Sequence, residues 1–298
     1  MPETSATPAA ALADLPREPG VAKPDPILVV DHVTRSFGGL TAVDVDHLEI
    51  QRGVITALIG PNGAGKTTLF NLLTGFDRPD TGTWSLDGKD LGRTPSHQVA
   101  RRGMVRTFQL TKALSRLTVL DNMLLGATGQ RGEKFLPGLL GLWRGQERAA
   151  TERAEALLDR FKLLEKRDDY AGELSGGQRK LLEMARALMV EPSLVMLDEP
   201  MAGVNPALVQ SLLRHVTSLR DEGMSVIFVE HDMDVVMNIS DWVVVLAQGR
   251  VIAEGDPQSI LGNRAVIDAY LGDDDADLSL EDEDDAAPGP DGEAQEPT

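Results

Sequence analysis

The sequence predicts an α/β fold in which a long helical stretch interrupts a β-sheet core, and three observations support this prediction. Strand-like segments occupy residues 27–59 and occur again over residues 193–255. Between them, residues 96–188 are mostly helical in pattern, with a looser part at 127–146. A glycine-rich loop also joins an apolar segment directly to a helical pattern. This order is typical of an α/β core that carries a helical insertion.

The first strand-like segments contain the turn residues that β-hairpins need. The segments ILVVDHVTRSF and VDVDHLEI show partial alternation of apolar and polar residues, and Gly38-Gly39 lies between them. The segment GTWSLDGKDL predicts a second hairpin with its turn at Asp87-Gly88. By contrast, VITALIG is a continuous apolar run, as expected of a strand that is buried on both faces. We therefore expect an antiparallel β subdomain beside a buried central strand.

The two ends of the chain differ from the middle in composition. Residues 1–26 are rich in alanine and proline and lack the basic and apolar regions of a secretory signal, so we expect a disordered arm. Residues 273–298 hold 12 acidic and no basic residues, and they contribute most of the net charge of −18, leaving −6 for the rest. Because this segment is also low in apolar residues, we expect a disordered acidic tail that aids solubility.

Composition also excludes several classes of protein. With no cysteine, the chain has neither a disulfide framework nor a thiolate metal site. No apolar run approaches the roughly 20 residues that span a bilayer. The sequence has no basic stripe of the kind that binds nucleic acid, so we expect no nucleic-acid partner.

Residues 60–67, GPNGAGKT, fit the pattern G-x-x-x-x-G-K-[ST] between a strand and a helix, the context this motif requires. Glycines let backbone N–H groups surround phosphate oxygens, and the helix N-terminus adds about half a positive charge. Lys66 is expected to reach the β- and γ-phosphates of a nucleotide, and Thr67 to bind Mg²⁺. A glycine turn without function is the alternative. The motif predicts a P-loop NTPase core whose nucleotide-binding candidates are Gly60, Asn62, Gly63, Ala64, Gly65, Lys66, Thr67 and Thr68.

Two later strand ends supply candidates for catalysis. SLVMLDE ends in Asp198, expected to face Mg²⁺, and Glu199, placed to polarise an attacking water. His231 ends MSVIFVEH, where a neutral imidazole could contact the γ-phosphate or the water. Taken alone, the acidic pair could simply begin a loop and the histidine could cap a strand, but the phosphate loop favours function. Gln109 is uninformative by itself.

The segment ELSGGQRKLLEMARAL begins like a helix that binds an anion. Ser175 can cap the helix, and Gly176 and Gly177 can expose backbone N–H groups at its N-terminus. The segment lies about a hundred residues from the phosphate loop, and its residues alone do not say what it binds.

Together, the phosphate loop, Gln109, LSGGQ, LVMLDEP and His231 resemble the ATP-binding subunits of ABC transporters. The order and spacing of five motifs make the resemblance specific. It implies an ABC ATPase domain over residues 27–272 with a helical subdomain at about 96–175.

The resemblance also assigns roles to individual residues. In this family two subunits pack head to tail, which implies that Ser175, Gly176, Gly177 and Gln178 close over the γ-phosphate held on the other subunit. Gln109 would lie at a hinge, bind Mg²⁺ with Thr67 and Asp198, and respond to the γ-phosphate during catalysis by Glu199 and His231. Phe37 occupies the position of an aromatic residue that stacks on adenine; a purely structural aromatic is the alternative.

Further segments are similar to one branch of the family, the ATP-binding subunits of branched-chain amino acid importers. These segments are MVRTFQ, LTVLDNMLLG, LDEPMAGVNP, VEHDMDVVMNISDWVVVLAQGRVIAEGDP and AVIDAYLG. Gly176 departs from the branch, because many members have tyrosine there. The resemblance implies ATP hydrolysis that powers the uptake of branched-chain amino acids or a similar small polar solute. Urea or short amides are an alternative cargo, and a soluble ABC ATPase outside transport is a second, less favoured alternative.

The resemblance further implies a set of partners. These are a second ATPase subunit, two transmembrane permease subunits and, indirectly, a solute-binding protein. It places the chain as a peripheral protein at the cytoplasmic face of the cell membrane, with ATP and Mg²⁺ as cofactors.

Overall fold

The structure, a computed structural model, describes residues 7–107, 115–127 and 144–271. In these residues ten strands form two sheets: β1 Pro26–Phe37, β2 Leu40–Gln51, β3 Ile55–Ile59, β4 Thr81–Leu86, β5 Lys89–Asp90, β6 Met104–Thr107, β7 Leu194–Asp198, β8 Ser225–Val229, β9 Trp242–Ala247 and β10 Arg250–Gly255. The α-helices are α1 Lys66–Leu73, α2 Ser96–Arg101, α3 Val119–Leu124, α4 Arg144–Arg160, α5 Gly176–Ala187, α6 Pro206–Asp221, α7 Met233–Ile239 and α8 Pro257–Leu261. Residues 264–271 are also helical.

The larger sheet has the strand order β10-β9-β3-β8-β7-β6. Its strands are parallel except β10, which pairs antiparallel with β9. Every residue of β3 is buried, because Ile55, Ala57 and Ile59 enter one core cluster while Leu58 enters the other. Parallel strands bring their carboxyl ends to one edge, so the segments after β3, β8, β7 and β6 lie side by side.

The smaller sheet is antiparallel, with the order β2-β1-β4-β5. Gly38 and Gly39 form the β1–β2 turn with φ values of 54° and 93°, in the left-handed region that glycine enters without strain. Asp87 and Gly88, with φ values of 49° and 69°, make the β4–β5 turn. Both predicted hairpins are present, and the predicted combination of an α/β core with an antiparallel β subdomain is confirmed.

The helical insertion packs on one face of the larger sheet. Helices α3, α4 and α5 share a core cluster with β3, β7 and α6. One element differs from the sequence prediction, because residues 104–107 form the edge strand β6 within the stretch expected to be helical. Most of the looser part at 127–146 lies outside the described residues.

The segment before β1 also differs from the prediction of a disordered arm over residues 1–26. From residue 7 it is packed, with a short 3-10 helix at Ala10–Leu12 and a buried Leu12. Lys23 Nζ donates to Glu254 Oε2 at 2.7 Å, and Trp242 Nε1 donates to the same oxygen at 2.9 Å. A few anchoring residues thus order a segment whose composition suggests disorder.

No helix among the described residues is long and apolar enough to cross a membrane. The acidic segment 273–298 lies outside the described residues.

Candidate nucleotide-binding site

The candidate site lies at the edge of the larger sheet where the parallel strands end. The phosphate loop follows β3, Asp198 ends β7, and His231 follows β8 by two residues. Since β3, β8 and β7 are neighbours in the sheet, residues distant in sequence come to one edge. Gln109 would follow β6 on the same edge, but it lies outside the described residues.

Two glycines of the phosphate loop are fixed by close backbone contacts. A Cβ on Gly60 would stand 2.0 Å from the carbonyl oxygen of Leu246, and one on Gly65 would stand 2.2 Å from that of Ala42. Both residues have positive φ, 150° and 99°. Gly63, also at positive φ, has nothing described within 4 Å of such a Cβ. The loop therefore presents open backbone at its tip while its two ends are packed against β-strands.

Lys66 begins helix α1 and directs its ammonium group back over the loop. Its Nζ donates to the carbonyl oxygens of Gly60 and Pro61 at 2.6 and 2.7 Å. The first turn of α1 contains no acidic residue, and the preceding Gly65 has no side chain to cap the helix. Because neither an acidic residue nor a capping side chain neutralises the positive helix end, this loop suits an anion such as a nucleotide phosphate. Thr67 and Thr68 follow Lys66 in the same turn.

Asp198 is held by a neighbouring arginine. Arg106 Nη2 donates to Asp198 Oδ2 at 2.5 Å, and the two side chains are only 7% and 11% exposed. The carboxylate at the end of β7 therefore has a fixed orientation.

Glu199, the candidate base, adopts a backbone conformation that is rare for a side-chain-bearing residue. Its φ is 45°, in the left-handed region, and its N–H donates to the carbonyl oxygen of Val229 at 3.1 Å. Lys180, on helix α5, donates from Nζ to the Glu199 carbonyl oxygen at 3.0 Å. A backbone hydrogen bond to β8 and a side-chain hydrogen bond from α5 thus hold the backbone of a strained residue, and such strain is common at functional sites.

Glu230 directly precedes His231 and lies near enough to Glu199 to interact with its charge. It is buried, and its Oε1 accepts a hydrogen bond from the Met201 N–H at 2.9 Å, which fixes the loop after Glu199. Burial raises the pKa of Glu230, and the nearby negative charge of Glu199 raises it further, whereas the hydrogen bond from the Met201 N–H lowers it. The adjacent His231 side chain is 75% exposed at this edge of the sheet.

Phe37 ends strand β1 and is 48% exposed. The Arg35 guanidinium lies over its ring at 4.6 Å from the centroid, and Arg35 is held in turn by Asp77 and Asp80. A supported but exposed ring at a hairpin turn suits stacking of an adenine better than a role in the core.

The LSGGQ segment forms the N-terminus of α5. Ser175 Oγ accepts the Gln178 N–H at 3.3 Å while Gln178 Oε1 accepts the Ser175 N–H at 2.9 Å, a reciprocal capping box. Ser175 and Gly176 are exposed, but Gly177 is buried, and a Cβ there would stand 1.6 Å from Leu208 Cδ2 of α6. The expectation that both glycines expose their backbone is therefore met by Gly176 alone, because Gly177 permits close helix packing.

Three residues at or near the site have no signal in the sequence alone. Arg106 contacts Asp198, and Glu230 supports the loop after Glu199. Tyr270, near the end of the described chain, has its hydroxyl against the backbone of Gly60, and burial raises its pKa.

Comparison with known proteins gives consistent results. The family described as "ABC transporter" matches residues 43–202, and the family described as "Branched-chain amino acid ATP-binding cassette transporter" matches residues 250–276. The chain is 42% identical over 252 residues to the probable branched-chain amino acid transport ATP-binding protein LivG of Archaeoglobus fulgidus, covering 85% of this chain and 98% of that protein. It is 43% identical over 250 residues to the high-affinity branched-chain amino acid transport ATP-binding protein BraF of Pseudomonas aeruginosa, covering 83% and 98%.

Solved structures show the same likeness. A nucleotide-free ATP-binding cassette from an ABC transporter superposes with a TM-score of 0.73 at 37% identity, covering 82% of this chain and 98% of that chain. The ADP conformation of an ATP-binding cassette of an ABC transporter gives a TM-score of 0.71 at 36% identity, covering 83% and 99%.

Proposed function

Since this chain belongs to the ABC transporter family as an ATP-hydrolysing, ATP-binding subunit, we propose that it powers the uptake of branched-chain amino acids or a similar small polar solute. The observation that carries the choice of cargo is the similarity to LivG and BraF over nearly their whole length, together with the specific match at residues 250–276. The solute would pass through separate membrane subunits, since the relatives are named as the ATP-binding proteins of transport systems.

Mg²⁺ is proposed to enter with the nucleotide. Thr67 and Asp198 offer the oxygen ligands that Mg²⁺ prefers, and Gln109 is a further candidate from the sequence. A bound Mg²⁺ would complete its coordination with phosphate oxygens and water. When bound, Mg²⁺ would neutralise charge on the phosphate oxygens.

The active form is proposed to be a head-to-tail dimer with a second ATPase subunit. Lys66 and the backbone of the loop would hold the phosphates, and Glu199 would polarise the attacking water with His231 beside the γ-phosphate. Ser175 and Gly176 are exposed at the positive end of a 12-residue helix, which suits a phosphate held by the opposite subunit.

A cleft of about 560 Å³ beside β6 is proposed to receive a permease subunit. Phe76 and Leu125 line it and are 54% and 61% exposed, so they form an apolar surface that the other described residues leave exposed. Arg101 and Arg186 also line it. An apolar segment of the permease that carries a carboxylate would match these features. Docking there would hold the chain at the cytoplasmic face of the membrane as a peripheral protein.

The decisive experiment reconstitutes the chain in vesicles with its co-purifying permease subunits and solute-binding protein. Labelled leucine and labelled urea are offered separately, with ATP or ADP inside. We expect ATP-dependent leucine uptake that is lost with Glu199→Gln. Urea uptake without leucine uptake would overturn the proposed cargo, and failure of the chain to associate with any membrane subunit would overturn the transport role.

A further inference from the structure

Arg106 is a buried cation in a short strand at the edge of the larger sheet. Its side chain is only 7% exposed. It lies on β6, opposite Met196 of β7, and Met196 is two residues before Asp198. Taking a guanidinium out of water is costly, so a side chain of this kind needs strong partners.

The guanidinium joins two elements of the nucleotide site. Nη1 donates to Asn71 Oδ1 at 2.6 Å, and Nη2 donates to Asp198 Oδ2 at 2.5 Å. Asn71 lies on α1, five residues after Lys66. The ring of Phe70 on the same helix lies 5.5 Å from the guanidinium carbon. Arg106 therefore fixes the end of β7 relative to the helix that begins with the phosphate loop.

The same side chain reaches a second place in the fold. Arg106 lines the cleft proposed for the permease, together with Met104, Val105 and Thr107 of β6. One residue thus belongs both to the wall of the cleft and to the environment of Asp198.

Arginine has a property here that lysine lacks. Its planar fork holds two acceptors on two separate nitrogens in a fixed geometry, whereas an ammonium group presents its donors from a single nitrogen on a flexible stem. A buried ion pair contributes little net stability compared with apolar packing, so stability alone explains this arrangement poorly. Fixed orientation of the Asp198 carboxylate is the property that the fork provides.

We propose that Arg106 is a positioning residue that orients the Asp198 carboxylate for Mg²⁺ and couples it to α1 and to the cleft. The proposal rests on the proposed function, because it requires Mg²⁺ to enter with ATP beside Asp198. Residues that orient a metal ligand typically change metal affinity by about 10- to 100-fold when they are replaced.

The test measures binding of a fluorescent ATP analogue to the full chain, once with excess Mg²⁺ and once with EDTA. The ratio of the two affinities gives the enhancement due to Mg²⁺. For Arg106→Lys, which keeps the charge but replaces the two-nitrogen fork between Asn71 and Asp198 by a single flexible nitrogen, we expect this enhancement to fall by about 10-fold. The affinity in EDTA should stay within about twofold, because the phosphate loop is unchanged.

A matched control is Arg52→Lys. Arg52 also bridges two partners, Asp25 and Asp87, but on the small antiparallel sheet. It should leave both affinities unchanged. Asn71→Ala removes the other end of the bridge and should reduce the Mg²⁺ enhancement in the same direction, but less. Thermal unfolding shows whether each variant folds. If Arg106→Lys does not fold, the Mg²⁺ enhancement measured for Asn71→Ala decides the test.

Three results would count against the positioning role or against the function on which it rests. An unchanged Mg²⁺ enhancement in Arg106→Lys, or in Asn71→Ala where only that variant folds, overturns the positioning role. Equal losses with Mg²⁺ and with EDTA also overturn it, since they indicate a general structural effect. If the unaltered chain fails to bind ATP, the proposed function falls and this inference falls with it.

Discussion

Gly65 in the phosphate loop and Gly176 in the LSGGQ segment both lie at the start of a helix, yet their surroundings differ. Gly65 is packed against the backbone of Ala42, whereas nothing described lies within 4 Å of where a Gly176 Cβ would stand. The phosphate loop is completed by its own chain through contacts with β-strands. The exposed start of α5 is satisfied by its own capping box. In the dimer proposed above, one half of the site is built within the chain and the other half would be supplied by a second subunit.

The largest expected effect comes from Glu199→Gln. Glutamine keeps the shape of the side chain but cannot accept a proton, so hydrolysis should fall by about 10²- to 10⁴-fold. Nucleotide binding should persist, because the phosphate loop and LSGGQ remain. The loss of a negative charge near the γ-phosphate should favour an ATP-bound dimer, measured by size-exclusion chromatography with Mg-ATP.

Two outcomes would contradict this view. Hydrolysis at the normal rate would show that Glu199 is not the base. A variant that binds ATP but stays monomeric even with the permease subunits present would argue against a site shared between two chains.

Substitutions at the two adjacent glycines of LSGGQ distinguish a contact with the proposed second subunit from packing within the chain. Gly176→Asp adds a carboxylate in open space facing the proposed second subunit, so it should weaken the ATP-bound dimer of Glu199→Gln by at least about 100-fold, since juxtaposed like charges cost several kcal/mol. Its melting temperature should hardly change. Gly177→Asp, by contrast, would meet Leu208 in its own chain and should cost about 1–3 kcal/mol of folding stability.

Chromatography and thermal unfolding of both variants provide the comparison. If Gly176→Asp dimerises normally, the exposed start of α5 does not face a phosphate. If Gly177→Asp is as stable as the unaltered chain, the packing assigned to Gly177 is wrong.

Phe37→Ala tests the proposed contact with adenine, which lies in the half of the site that this chain builds by itself. Stacking of a base on an aromatic side chain contributes about 1–3 kcal/mol in nucleic-acid sites. ATP affinity should therefore fall by a corresponding factor, less than for Lys66→Ala, which removes a charge-assisted contact to phosphate. Isothermal titration calorimetry with ATP and with inorganic triphosphate measures it. A triphosphate affinity that falls equally would mean that Phe37 supports the fold and does not contact adenine.

The smallest effect is expected from Glu230→Gln. The folded-state pKa of Glu230 is raised above its ordinary value of 4.5, chiefly by burial. Such a group stabilises the fold fully below that ordinary value, and its contribution is lost as pH rises through the raised value. Glutamine keeps an acceptor for the Met201 N–H without this titration. As pH rises above 4.5, the melting temperature of the variant should therefore rise relative to that of the unaltered chain. A constant difference between the two melting temperatures over this pH range would refute the assignment.

Much of the fold could be predicted because periodicity and turn residues are local signals. The hairpins at Gly38-Gly39 and Asp87-Gly88 and the buried strand β3 follow directly from such patterns. Strand β6 could not be predicted, because four residues that include Arg106 and Thr107 at a sheet edge give no clear period. Likewise, LSGGQ alone does not reveal that Gly177 packs against Leu208, since this contact joins elements about 30 residues apart.

The segment before β1 bears on where the folding unit begins. The family match starts at residue 43, within β2, and composition would set the boundary at residue 26. Yet Glu254, near the end of the larger sheet, accepts hydrogen bonds from Val21, Lys23 and Trp242. A chain trimmed to Pro26 would leave that carboxylate enclosed without its cation, which typically costs about 3–5 kcal/mol. We therefore expect the smallest piece with full stability to begin before Val21, so the unit that folds is longer than the stretch that the family match covers.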